Sequence, residues 1–385
     1  MASPVFEWMS RLWRRRPAKR ALALVGGGVI GGMYEVGVLT ALDESLPGFR
    51  ANAFDIYVGV SAGSVVASLM ANGIRPNELY RILDQGLPDP MNFHQGSVYD
   101  RRSFGRAGRR FGRLLWAVAK NLLSGFRSSV PDLLSRAQGE LPAGFFSLEQ
   151  LETYMRKTFE AKGLSNDFRT LPRTLVIPAV DLDRAERVVF GLGALTEVPI
   201  SQAIAASSAI PGFFEPYTIR DRDYVDGGVG YAAHADLAID LGAELIVVVN
   251  PLVPLTGAGA VAPGHLKEQG LYSILEQSSR ITSQNLLELG LRELQLKHPR
   301  LEIFLLQPEA KESPLFGPSM GFEASRAALR FGYASTRAWL AARGDAFMRR
   351  FRLAQGAPAP VPPSSSRRAE GPSQEPASHE PTPRA

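Results

Sequence analysis

The stretch DIYVGVSAGS, residues 55–64, carries the strongest structural signal in the chain. Its apolar run predicts a buried strand, and the apolar spacing that follows predicts a helix. Between the two lies Gly59-x-Ser61-x-Gly63, the pattern of a nucleophile elbow, in which the glycines permit a turn so sharp that the serine hydroxyl stands clear of the backbone. This setting predicts that Ser61 is a catalytic nucleophile, with the positive end of the following helix directed at the reaction centre.

A second glycine-rich turn, in ALALVGGGVIGG at residues 21–32, also follows a short apolar run. Backbone N–H groups in such a turn can bind an anion, and two kinds of anion are compatible with it. The spacing Gly26-x-Gly28-x-x-Gly31 matches the dinucleotide-binding fingerprint, which would indicate an NAD(P)-dependent oxidoreductase. That fingerprint requires an acidic residue at the end of a second strand. Asp55 instead opens a strand, so we keep this hypothesis as the less favoured alternative.

The other anion is the oxyanion that forms when a serine attacks an ester. A serine hydrolase needs N–H groups directed at this charge, and removing one such donor typically slows the reaction ~100- to 1,000-fold. The sequence therefore predicts an oxyanion hole made by the N–H groups of Gly26, Gly27 and Gly28. The N–H of Ala62, directly after Ser61, is a further candidate.

Two residues are candidates for the base that activates Ser61. Asp226 ends a predicted strand and precedes Gly227-Gly228, so another backbone segment can approach its carboxylate closely. A free aspartate has a pKa near ~3.9, so this role requires a dry site beside the serine. His234 is the other candidate, because Ser61, Asp226 and His234 follow the chain order of an α/β-hydrolase triad. It lies in an apparent helix start, which makes the triad the less favoured hypothesis.

The remainder of the chain alternates short apolar runs with helical patterns. This alternation predicts an α/β fold around a partly parallel sheet. A long helical pattern at residues 266–298 stops before Pro299. We predict strands at residues 22–25, 56–60, 175–179, 187–190, 224–225, 245–250 and 302–306.

Length and composition are those of a globular protein, which we place in one domain at residues 21–353. The chain has 385 residues, of which 45% are hydrophobic and 21% charged, and it has no cysteine. Disulfides and thiolate metal sites are therefore excluded, and we expect neither a metal nor a cofactor. The long uncharged stretches at residues 56–74 and 245–266 are interrupted by glycine or proline, so we expect no transmembrane helix.

Three segments differ in composition from this domain. Residues 1–20 form a basic leader whose apolar side chains share one side of a helix. Residues 95–140 predict a basic helical insertion, within which residues 101–127 contain no acidic side chain. Residues 354–385 are rich in proline and poor in apolar side chains, which predicts a disordered tail.

The net charge of +5 indicates an anionic partner. Because basic amphipathic segments are typical of membrane-surface elements, we expect residues 1–20 and 101–127 to contact an anionic membrane surface. The protein is then expected to be cytoplasmic and peripherally associated with a membrane. No nucleic-acid-binding motif accompanies the charge, so nucleic acid is not an expected partner.

Three blocks of sequence together resemble the patatin-like phospholipases. The similarity extends over about residues 21–250 and includes residues 177–182 and 206–216. The blocks, in chain order, are Gly26-Gly27-Gly28 with Gly37-Val38-Leu39, Gly59-Val60-Ser61-Ala62-Gly63, and Asp226-Gly227-Gly228.

The resemblance implies a three-layer α/β/α sandwich and a Ser61–Asp226 dyad that works without histidine or metal. It also implies hydrolysis of acyl esters in membrane lipids, as by a phospholipase A, a lysophospholipase or a lipase. The substrate would then be a membrane phospholipid or another acyl-ester lipid. The glycine turn would supply the oxyanion hole, and an acyl-Ser61 intermediate would be hydrolysed by water.

The chain departs from the family pattern in two places. Ile30 stands where the family often has arginine or lysine, which bears on the preference for phospholipids over neutral esters. Tyr231, Ala232 and His234 stand where the family frequently has asparagine and then proline.

Overall fold

The computed structural model describes residues 19–97, 112, 116, 143–231, 233–254, 265–308, 315, 320–322 and 324–354. Apart from their borders and two isolated positions, the predicted leader, basic insertion and C-terminal tail lie outside these residues. The predictions made for those three segments therefore remain predictions.

The described chain forms an eight-stranded mixed sheet in which strands β3, β2, β1, β7 and β8 lie side by side in parallel. Strands β4, β5 and β6 extend it in antiparallel pairing beyond β3. The strands are β1 (Lys19–Leu24), β2 (Ile56–Gly59), β3 (Thr174–Asp181), β4 (Glu186–Phe190), β5 (Tyr217–Ile219), β6 (Arg222–Val225), β7 (Ala243–Val249) and β8 (Glu302–Leu306).

Helices cover both faces of this sheet. They are α1 (Gly28–Ser45), α2 (Ala62–Ala71), α3 (Pro76–Gln85), α4 (Glu149–Lys162), α5 (Ile200–Ser207), α6 (Ala235–Asp240), α7 (Leu271–Lys297) and α8 (Ser325–Ala354). Short 3₁₀ turns lie at Ala51–Ala53, Gln95–Ser97, Phe168–Thr170, Gly193–Glu197 and Leu266–Gln269.

Alternate side chains of the central strands enter two separate cores. Leu22 and Leu24 of β1 face the core shared with helices α1 to α5 and α8. Ala21 and Ala23 face a second core that includes Leu287 of α7 and side chains of α6. Because a strand's side chains alternate between faces, each of the five parallel strands contributes to both cores. The predicted three-layer α/β/α arrangement is confirmed.

Most predicted strands agree with the structure, with shifted ends. The long helix predicted at residues 266–298 is shorter, because residues 266–269 form a 3₁₀ turn before α7 begins at Leu271. Strand β5 and the 30-residue helix α8 were not predicted. None of the described helices combines the length and apolar character that a transmembrane span requires.

Candidate active site

Ser61 occupies a sharp turn between the end of β2 and the start of α2. Its backbone has φ 51° and ψ −129°, a positive-φ conformation for a residue other than glycine. Such a conformation costs about 1–3 kcal/mol and persists where the surroundings enforce it. A Cβ atom at Gly59 would lie 2.6 Å from the Ser64 Cα, and one at Gly63 would lie 2.5 Å from the Leu24 carbonyl oxygen. Glycine is therefore required on both sides of Ser61.

The turn at residues 26–28 lies directly against the Ser61 turn. Gly26, Gly27 and Gly28 all have positive φ, at 83°, 104° and 68°. A Cβ atom at Gly26 would lie 2.3 Å from the carbonyl oxygen of Val60. The two turns meet because the parallel neighbours β1 and β2 end at the same edge of the sheet.

The N–H groups of these turns have different partners. The Gly26 N–H donates to Glu35 Oε1 over 2.7 Å, so it is already engaged. No hydrogen bond within the described chain uses the N–H of Gly27, Gly28 or Ala62. Helix α1 begins at Gly28 and helix α2 at Ala62, so two positive helix ends converge where these free donors lie. The arrangement can bind an anion.

Asp226 follows β6 and is buried. Its N–H donates to the Ala209 carbonyl over 2.9 Å, and its Oδ1 accepts the Gly228 N–H over 2.7 Å. Its Oδ2 is buried without a hydrogen-bond partner among the residues described. Burial raises the pKa of Asp226 to about 6. The Gly228 N–H and the Ser61 hydroxyl both act in the opposite direction, and the effect of burial is the larger.

Ser61 and Asp226, separated by more than 160 positions in the sequence, are thus brought together. The Ser61 hydroxyl is near enough to lower the Asp226 pKa. It makes no hydrogen bond of normal length and angle with the carboxylate in the part of the chain that the structure describes. Catalytic hydrogen bonds are often long or poorly aligned before substrate binds. Oδ2, which has no donor within the described residues, is free to accept a hydrogen bond.

Ser207, to which no role was assigned from the sequence, connects the two loops. Its Oγ accepts the Ser61 N–H over 3.0 Å and donates to the Pro178 carbonyl over 2.7 Å. Its own carbonyl accepts the Gly227 N–H over 3.3 Å. One residue therefore joins the serine turn, strand β3 and the aspartate turn. The only signal for it in the sequence was its position within residues 206–216.

His234 is held away from this chemistry. The Arg187 guanidinium lies 3.4 Å from Nδ1, so Nε2 carries the proton and donates to the Gly227 carbonyl over 2.8 Å. Burial lowers the His234 pKa to about 4. Its ring makes no hydrogen bond to Ser61 or Asp226 within the described residues. The triad hypothesis through His234 is therefore not supported, and the histidine instead fixes the backbone after Asp226.

The dinucleotide hypothesis also lacks its acidic partner. Asp55 precedes β2, so it lies at the end of that strand opposite to Ser61. Its carboxylate accepts the Arg20 N–H over 2.9 Å. Strand β2 ends at Gly59 and is followed by Val60 and Ser61, so it does not end on the acidic residue that the fingerprint requires.

An apolar pocket has Ser61 in its lining. Its walls come from α1, α2, α3, α4 and the segment after α5, and nearly all the lining side chains are aliphatic or aromatic. Leu69, Leu79 and Met155 are among them, and Gly28 and Ala62 line the pocket next to Ser61. A long hydrocarbon chain fits this composition. No group of side chains that could hold a metal ion is found among the described residues.

Comparisons with known proteins agree with this picture. A family model described as patatin-like phospholipase matches residues 22–239. A probable lipid hydrolase, 463L of Invertebrate iridescent virus 6, is 22% identical over 226 residues. That similarity covers 58% of this chain and 65% of the viral protein, which is less than two thirds of its length.

Two solved structures are distantly similar. VipD from Legionella pneumophila has 14% identity and a TM-score of 0.35, over 85% of this chain and 67% of VipD. The type III effector ExoU has 15% identity and a TM-score of 0.33, over 85% of this chain and 53% of ExoU. The family model, by contrast, matches more than half of the chain and includes both site residues, Ser61 and Asp226. The chain belongs to the patatin-like phospholipase family.

Proposed function

We propose that the protein is a serine lipid acyl hydrolase in which Ser61 is the nucleophile and Asp226 the general base. The observation that carries this proposal is the buried Asp226 carboxylate, which has one oxygen without a partner in the described chain and lies close enough to the Ser61 hydroxyl for that hydroxyl to lower its pKa. A buried acceptor without a donor lowers the stability of the fold, so its presence calls for an explanation, and a catalytic role provides one. An Asp226 pKa of about 6 suits a base that works near neutral pH.

In the first half of the proposed reaction, Ser61 Oγ attacks the ester carbonyl carbon and the hydroxyl proton passes to Asp226. The carbonyl electron pair moves onto oxygen, where the free N–H groups of Gly27, Gly28 and Ala62 stabilise the charge. The bond to the alcohol then breaks, and Asp226 returns the proton to that leaving group. The acyl group remains on Ser61 as an ester.

The second half repeats the chemistry with water as the nucleophile. Asp226 takes a proton from water as it attacks acyl-Ser61, and the intermediate collapses to a free fatty acid and the serine hydroxyl. Gly26, which the sequence predicted as an oxyanion donor, is not one in this scheme, because its N–H donates to Glu35 and is not free. No step requires a metal or a cofactor.

The proposed substrates are acyl-ester lipids of membranes, including phospholipids. The apolar pocket that begins at Ser61 supports a long acyl chain as the bound group. Patatin-like family membership supports the same substrate class. We further propose peripheral association with an anionic membrane surface on the cytoplasmic side, through the basic residues 1–20 and 101–127.

The test is labelling with a fluorophosphonate, followed by mapping of the modified peptide. Wild type should carry the adduct on Ser61, and Ser61→Ala should be inert. Asp226→Asn, which keeps the shape of the side chain, should lose at least about 1,000-fold in labelling rate and ester hydrolysis. His234→Ala should keep most of its activity. An adduct on another residue of folded protein, or full activity in Asp226→Asn, would refute the proposal.

A further inference from the structure

Helix α7 exposes apolar side chains that its packing does not explain. Leu271 is 71% exposed and Leu275 56% exposed, and Ile274 and Ile281 are exposed as well. At 3.6 residues per turn these four positions share one face of the helix. The opposite face is the one that packs on the sheet, through Leu287 and its neighbours. We call Leu271, Ile274, Leu275 and Ile281 the apolar stripe.

The stripe differs from the rest of the exposed face in charge. Between residues 271 and 287 the only charged side chains are Glu276 and Arg280, which pair with each other at 2.8 Å. Arg280 is buried and donates to the Val253 carbonyl. The second half of α7 also exposes leucines, but among exposed charges at Glu288, Arg292, Glu293 and Lys297. Only the first half presents an uncharged apolar surface.

The first half of α7 is linked to the pocket wall through two ring contacts. The Tyr272 ring lies 5.8 Å from that of Phe213, which lies 4.9 Å from Phe214 in the pocket wall. The Phe145 N–H donates to the Phe213 carbonyl, and the Phe145 side chain is itself exposed. The second half of α7 leads toward the start of β8, a parallel neighbour of β7, and so toward the opposite edge of the sheet.

From this placement we propose that the apolar stripe, with Phe145, inserts into the surface of a lipid layer and holds the protein on the layer that supplies its substrate. The inference rests on the proposed lipid hydrolase function and names how that site meets its substrate. An acyl chain must leave the lipid layer to enter the pocket, so an enzyme of this kind needs a surface that contacts lipid. An uncharged apolar surface suits the acyl boundary of a lipid layer.

The experiment compares two double variants of the same helix in the full chain. Leu271→Glu with Leu275→Glu places charges in the stripe, and Leu289→Glu with Leu296→Glu places them on equally exposed leucines of the second half. Each protein is assayed on a water-soluble short-chain ester, and on vesicles of phosphatidylcholine for both binding by flotation and hydrolysis. Circular dichroism checks that both variants are folded.

We expect the first variant to lose about tenfold or more in vesicle binding and hydrolysis. The second variant should stay within about twofold of wild type on vesicles, and both should hydrolyse the soluble ester at the wild-type rate. Equal losses in the two variants, or no loss in the first, would overturn the proposal. The proposal would also be overturned if the wild type were a dimer and the first variant a monomer with unchanged vesicle binding, because the stripe would then join two copies.

The two proposals fail in different ways. If the wild-type protein hydrolyses no ester, the proposed function is wrong, and vesicle binding alone still decides whether the stripe contacts lipid. If the wild type hydrolyses esters and the charges placed in the stripe leave vesicle binding unchanged, the proposed function stands and the inference is wrong.

Discussion

Two buried carboxyl groups lie close to residues of the candidate site. Burial raises the pKa of Asp226 to about 6 and that of Glu35 to about 8. Each accepts one backbone N–H, from Gly228 and Gly26 respectively, and each has a second oxygen without a partner in the described chain. The two groups differ in their neighbours, because the Ser61 hydroxyl lowers the pKa of Asp226, whereas only backbone N–H groups lower that of Glu35.

The activity should fall at acid pH because a general base must be ionised. Asp226 loses its proton as the pH rises through about 6, so kcat/KM should fall about tenfold per pH unit well below that value and level off above it. The measurement is a pH profile of kcat/KM on a soluble ester. A profile whose acid limb lies near pH ~4, the value of an ordinary aspartate, would contradict this assignment.

Glu35 should make stability, rather than activity, depend on pH. Its folded-state pKa of about 8 exceeds the ordinary 4.5, so the folded chain binds the proton more tightly than the unfolded chain. The contribution of Glu35 to the free energy of unfolding is then fully present below pH ~4.5 and is lost as the pH rises through about 8. Glu35→Gln cannot ionise, so its free energy of unfolding should gain on wild type by roughly 1 kcal/mol per pH unit between those values.

Urea denaturation of both proteins at several pH values measures this difference, and Asp226 cancels because both proteins retain it. Glutamine keeps an oxygen that can accept the Gly26 N–H, so the variant should remain folded. Parallel stability curves for the two proteins would show that Glu35 does not titrate within the fold.

The two residues proposed for the chemistry were visible in the sequence as motifs. Ser61 lies in Gly59-x-Ser61-x-Gly63 and Asp226 precedes Gly227-Gly228, and each pattern is contained in a single short stretch of sequence. Glu35 and Ser207 were missed because their roles depend on contacts with turns that other strands carry. Ser207 reaches Ser61 across 146 positions, and no motif encodes that distance.

Among the elements, helices α1 and α8 pack closely because glycines lie where they meet. A Cβ atom at Gly37 of α1 would lie 2.2 Å from the Leu329 carbonyl oxygen, and one at Gly332 of α8 would lie 2.4 Å from that of Tyr34. The two helix backbones are therefore nearly in contact. This explains Gly37, which entered the sequence analysis only through resemblance. Helix α8 itself was missed because arginines and alanines interrupt its apolar pattern.

Gly332→Ala should therefore destabilise the protein, because the added methyl meets backbone that cannot yield. We expect a loss of about 1–3 kcal/mol in the free energy of unfolding. Gly344→Ala on the same helix is the matched control, since its Cβ would meet nothing closer than 3.6 Å. That variant should be neutral or gain up to about 1 kcal/mol from helix propensity. Denaturant unfolding measures both, and equal effects would mean that the helices separate without cost.

At the scale of the whole molecule, the sheet places the reaction centre and the helices provide the pocket. Helices α1 and α2 both begin beside Ser61 and extend away from it, and the pocket lies between them. Val36 lies eight residues along α1 from Gly28, and Leu69 lies seven along α2 from Ala62. At 1.5 Å per residue the lined depth is about 10–12 Å. The α/β alternation predicted the sheet, but the pocket depends on how helices from four parts of the chain pack.

Leu69 should therefore set an upper limit on acyl-chain length. Leu69→Phe adds bulk far from Ser61, so it should slow hydrolysis of long-chain p-nitrophenyl esters about tenfold and leave short-chain esters within about twofold. Leu69→Ala removes bulk at the same place and should shift the preference toward longer chains, at a stability cost of about 2–5 kcal/mol. The measurement is kcat/KM across a series of chain lengths. Equal changes at every length would place Leu69 outside the path of the acyl chain, because a side chain at the far end of the pocket can meet only a substrate long enough to reach it.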